Sequence, residues 1–132
     1  RTWALLLLPS LVCAQPSATT QQLMLDLIHP ASNEILLVVN RGGPRSDPDW
    51  AVIRRSAVSL LEAGNLLMTG GRARDQGEWL KDAKLMADAG LAAYKAAEAK
   101  DAKALAAVAG RIDASCTACH QQYRFPRAGG AK

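Results

Sequence analysis

The sequence predicts an all-α fold, an antiparallel up-down-up-down four-helix bundle. Three observations carry this expectation. Alanine is abundant, above all between Ala83 and Ala114, while aromatic residues make up only 5% of the chain. Alanine has the highest helix propensity, and strands prefer β-branched and aromatic side chains. Apolar residues recur at spacings of three and four along four successive stretches. The connections between those stretches are mostly short, which makes neighbours in sequence antiparallel in space.

The first predicted helix runs from Thr20 to Asn40, with Met24, Leu27, Ile28, Ala31, Ile35 and Val38 on its apolar stripe. Pro30 interrupts it and predicts a kink. Arg41 to Asp49 contains two Gly, two Pro and a Ser-Asp pair, and reads as a loop. The second helix runs from Pro48 to Met68, with Trp50, Ile53, Ala57, Leu60, Gly64 and Leu67 facing inward. Gly70-Gly71 ends it. The third runs from Asp75 to Ala99, with Trp79, Ala83, Met86, Gly90, Ala93 and Ala97 on one face. Asp101 is the expected N-cap of the fourth. That helix reaches Tyr123, with a stripe of Leu105, Val108, Ile112, Cys116, Cys119, His120 and Tyr123. Phe125 to Lys132, with Pro126 and Gly129-Gly130, reads as a frayed tail.

A chain of 132 residues, 49% apolar and 21% charged, suits one domain with a buried core. The net charge of +4 is modest, and no basic run is interleaved with aromatics, so nucleic acid is not an expected partner. Residues 1–14 read as a signal peptide. Arg1 is a positive start, Trp3 to Leu8 with Leu11 and Val12 form a short apolar run, and Val12-Cys13-Ala14 fits a cleavage site before Gln15. The apolar run is too short for an ordinary membrane span. Cys13 also suggests a lipoprotein signal, for which Ser10 and Val12 are poor residues. The expected mature domain is therefore 15–132, exported, with no membrane span. Its two remaining cysteines lie in one five-residue motif, so no disulfide framework is expected.

That motif is Cys116-Thr117-Ala118-Cys119-His120, a C-x-x-C-H sequence and the attachment signal for c-type haem. On a helix, residues at i, i+3 and i+4 fall on one face. Two thiols can add to the two vinyl groups along one haem edge, and the adjacent imidazole then points at the iron as proximal ligand. A thioredoxin-like dithiol would open a helix after a strand, whereas this pair sits near the end of a helix in an all-helical chain. A zinc site needs four ligands. The other histidine, His29, lies off the apolar stripe and reads as a surface residue. The expected cofactor is one covalent haem c, with iron bound by His120.

A second axial ligand must come from the same end of the bundle. Met24 lies near the start of the first helix and His120 near the end of the fourth, at similar depth for a rise of about 1.5 Å per residue. Met68 closes the second helix at that end, while Met86 lies too far along the third. Any of the three also suits core packing. Depth leaves both Met24 and Met68 eligible.

Here the chain resembles a known family. Cys116 to Arg124, CTACHQQYR, is similar to the C-x-x-C-H-x-x-Y-R ending of the cytochrome c-prime family, the class II cytochromes c. Leu23 to Ile35, LMLDLIHPASNEI, resembles the low-spin branch of that family, which has an early Met followed by a Pro-Ala pair. The resemblance covers essentially the whole mature chain. It implies a four-helix bundle with Met24 as sixth ligand, so that His120 and Met24 both bind the iron. It also implies that Arg124 flanks the proximal face or a propionate, with Tyr123 beside it. Gln21 and Gln22 stand where many members have a basic residue.

His/Met ligation raises the potential and gives a low-spin iron that changes little on electron transfer. The expected function is therefore periplasmic electron transfer between redox partner proteins, outer-sphere and not enzymatic. The alternative is a high-spin, five-coordinate relative that binds NO or CO, in which an apolar residue stands at the Met24 position. A third reading is a haem-free helical interaction module with a redox-active Cys pair. Arg72, Arg74, Arg127 and Lys132 would form a positive rim that steers an acidic partner. Trp50 and Trp79 begin their helices at opposite ends of the bundle, Trp79 near the haem. The small residues Ala83, Gly90, Ala93 and Ala97 suit either close helix approach or a homodimer face.

Overall fold

Thr19 starts the helical chain. Its hydroxyl accepts from the Gln22 backbone N–H, and the Gln22 side-chain oxygen accepts from the Thr19 N–H, so each satisfies an orphan donor of the other. In the computed structural model, which describes residues 18–69 and 71–124, α1 (Thr20–Leu23) runs unbroken through a π turn (Met24–Ile28) into α2 (His29–Asn40). The expected leader, Gly70, and the tail with Arg127 and Lys132 lie outside the described residues.

A π turn stands where the kink is predicted. Proline offers no N–H to the carbonyl four residues back, and its ring crowds that carbonyl in an α-helix. The turn before Pro30 is wider, with the His29 N–H donating to the Met24 carbonyl five residues back. A π turn holds about one residue more than an α turn, so side chains upstream are rotated by roughly 100°. This corrects the expected stripe. Leu23 takes the inward place at 7% exposed, and Met24 sits half-buried on the flank.

Ser46 caps α3 (Asp47–Met68) by accepting from the Asp49 N–H. α4 spans Glu78–Glu98 and α5 spans Ala102–Tyr123, the latter capped by Asp101. α4 begins later than the expected Asp75, because the Asp75 carboxylate accepts from the Gly77 and Trp79 N–H groups and ends the loop. Lys100, at φ 51°, makes the sharp turn between α4 and α5.

The rods alternate in direction. Ser56 bonds Glu34 and Arg41 pairs with Asp49 between α2 and α3. Arg54 pairs with Glu98 between α3 and α4, and Trp79 meets Tyr123 between α4 and α5. Ile35, Ile53, Leu60, Leu105 and Ile112 are fully buried at the centre. Each such side chain contributes roughly 1.5–3 kcal/mol through burial.

α3 and α4 share the most extensive interface. A Cβ on Gly90 would lie 2.5 Å from the Leu61 nitrogen, and one on Gly64 would lie 2.7 Å from the Ala87 Cβ. Glycine is what lets these two backbones approach. Ala83, Gly90, Ala93 and Ala97 are all buried inside the bundle, so their small size serves its own packing. No helix among the described residues is long and apolar enough to cross a membrane.

Candidate functional site

The C-x-x-C-H residues occupy the closing turns of α5. Thr117 and Ala118 are exposed, whereas Cys116, Cys119 and His120 are half-buried, as spacing at i, i+3 and i+4 requires. Just before them Ser115 is buried, its hydroxyl donating to the Ile112 carbonyl.

Two adjoining cavities meet this face. The outer is an open cleft of about 320 Å³. Met24 and Leu25 line it from the π turn, Arg74 from the loop before α4, Trp79 from the first turn of α4, Cys119, His120 and Tyr123 from α5, and Arg124 from the residue that follows α5. Gln21 also lines it, while Gln22 is taken up by the cap on Thr19. The inner cavity, about 30 Å³, is walled by Met24, Ile28, Leu67, Asp82, Met86, Cys116 and Cys119. Trp79 borders both. Met24 therefore borders both cavities, as Trp79 and Cys119 do.

The aromatic wall is held rigidly. The Trp79 indole N–H donates to the Leu67 carbonyl at 2.8 Å, and the Tyr123 ring stands edge-on to it at 5.0 Å. The Tyr123 hydroxyl donates to Asp75. Burial and that carboxylate push its pKa up to about 12. The Arg74 guanidinium lies 5.8 Å above the Trp79 ring. Arg72 is turned elsewhere, donating to the Ala18 carbonyl at 2.9 Å, so Arg74 and Arg124 are the expected basic residues that border the cleft.

Burial raises the Cys116 thiol, and burial with the nearby Asp82 and Cys116 raises Cys119 to about 11. Both are free cysteines. Burial, then Arg124, lowers the His120 pKa. Its neutral imidazole is the form that ligates a metal.

Two residues of the inner cavity go beyond the sequence reading. Met86 is expected to lie too deep, but the cavity extends down α5 to Cys116, one turn below His120, and Met86 lies at that level. Met68 packs against the core and borders neither cavity. Asp82 is 6% exposed and belongs to the wall beside Cys119. Its signal in the sequence is a carboxylate between Trp79 and Met86 on the apolar face of the third helix. Burial raises its pKa, with Glu78 adding to the effect. His29 is exposed, as expected. Trp50 lies at the far end with Asp47 and Lys100.

Among the described residues no three His, Cys, Asp or Glu side chains converge to hold one ion. No protein-family model matches the chain, and neither the curated proteins nor the solved structures contain a match.

Proposed function

We propose that the chain is an electron-transfer c-type cytochrome of the cytochrome c-prime kind, carrying one covalent haem c with His120 and Met24 as axial ligands. One observation carries the reading. Cys116, Cys119 and His120 open from one face of α5 onto cavities that Met24 lines from the π turn. The donor set fits the group. Two thiols and an imidazole at i, i+3 and i+4 on one helix face suit a flat group met at separate atoms along its edge.

Haem bound there would supply a one-electron iron couple. The chain's own residues do the rest. The Cys116 and Cys119 thiols would hold the group covalently, as thioethers to its two vinyl substituents. His120, kept neutral by burial, offers a ring nitrogen, and Met24 offers a thioether from the other side. Trp79, Ile28 and Leu67 exclude water. Arg74 and Arg124 bring positive charge to the open side, where they suit anionic groups at the cofactor edge. With an imidazole and a thioether both supplied by the chain, the site would move electrons and make no bonds, and its partners would be redox proteins. Export to a periplasm belongs to the same proposal.

Covalent attachment is tested by producing the chain alongside haem-attachment machinery, unfolding it and extracting with acidified organic solvent. The expected result is that colour stays with the chain, and leaves it in a Cys116→Ala/Cys119→Ala variant. Colour lost from the unaltered chain on extraction would contradict the proposal.

A further inference from the structure

We infer that Pro30, through the π turn before it, decides which side chain of the first helix faces the cleft, selecting Met24 over Leu25. The inference rests on the haem reading above and adds a positioning residue to it.

The hydrogen-bond frame is the starting point. In an uninterrupted α-helix the His29 N–H would donate to the Leu25 carbonyl. Here it donates to Met24, one residue further back. The next residue in line is Pro30, which has no N–H to donate. The slipped frame thus ends at the one position where no donor is left over. Substituting an ordinary residue restores a donor that pairs with the Asp26 carbonyl in the α frame.

Rotation follows from the frame. α2 is anchored by Ala31, Ile35 and Val38, all buried. Continuing an α frame backward from that anchor turns the preceding residues by roughly 100°. Met24 then takes the inward place of Leu23, and Leu25 takes the place of Met24. Little opposes the exchange. Leu25 is 62% exposed and already borders the cleft. α1 is a single turn whose one buried side chain is Leu23, and that is the place Met24 would take. A methionine can fill the pocket that a leucine leaves. A closed α frame therefore sets a branched alkyl group where the thioether stood.

The test uses the haem-loaded protein and the near-infrared charge-transfer band of Met-to-iron ligation. The unaltered protein and Met24→Ala are compared first. A band that is absent, or that survives Met24→Ala, sinks the His/Met reading and this inference with it, before any Pro30 variant is made. Given a Met24-dependent band, Pro30→Ala is expected to remove most of it and to make the protein bind carbon monoxide. Adding Leu25→Met to Pro30→Ala is expected to restore the band, while Leu25→Met alone changes nothing. A band retained in Pro30→Ala overturns the inference. So does a loss that Leu25→Met does not repair, which would make Pro30 merely structural.

Discussion

Asp75 ties together three segments through one carboxylate. It accepts from the Gly77 and Trp79 backbone N–H groups at the start of α4 and from the Tyr123 hydroxyl at the end of α5. The tyrosine bond, then the Trp79 N–H, holds its pKa below the ordinary 3.8. A carboxylate whose folded pKa is depressed contributes stability that is present above its unfolded value and lost as pH falls through the folded one. Asp75→Asn, which mimics the protonated form, is expected to be less stable than the parent at neutral pH. The gap should close as pH falls below about 4, read as denaturant midpoints across pH. A gap independent of pH would show that the charge on Asp75 is not what matters.

At the scale of elements, two glycines separate packing from propensity. Gly90 faces α3, and its Cβ would strike the Leu61 nitrogen at 2.5 Å and the Ala57 carbonyl oxygen at 2.9 Å, both backbone atoms. Gly110 in α5 has nothing within 4 Å of the place a Cβ would take. Gly110→Ala should stabilise by roughly 0.5–1 kcal/mol through helix propensity alone. Gly90→Ala should destabilise by about 1–3 kcal/mol, because overpacking exceeds that gain. Urea titration of the two variants checks both signs. The same elements show what is legible in the sequence. Period and caps locate α3 and α5 closely, since Ser46 and Asp101 are ordinary N-caps before clean apolar stripes. The start of α4 is less legible, because Asp75 caps it from outside through a turn that periodicity does not register. The π turn is hidden for a similar reason. Pro30 announces a disturbance, but a 3.6-residue period carries no mark of one inserted residue, so Leu23 and Met24 exchange their expected roles.

At the scale of the molecule, an antiparallel bundle brings the start of the first helix and the end of the last to one end, and there it joins α5's thiols and imidazole to Met24. The motif at Cys116, Cys119 and His120 is legible because chemistry demands its spacing within one helix. Met86 and Asp82 are not, because their part depends on how far the cavity runs between α4 and α5, and that depth is a property of packing. Met86 borders the inner cavity and Met68 borders neither cavity, so both belong in the test of the proposed ligand. The central claim is that His120 and Met24 hold the iron between them. The visible and near-infrared spectrum of the haem-loaded protein tests it most directly, recorded oxidised and reduced, with and without carbon monoxide, beside Met24→Ala, Met86→Ala and Met68→Ala. The expected result is a low-spin spectrum with a Met-to-iron band, unmoved by carbon monoxide, lost in Met24→Ala and kept in the other two. A high-spin spectrum that shifts with carbon monoxide, or a band lost in Met86→Ala and kept in Met24→Ala, would contradict it.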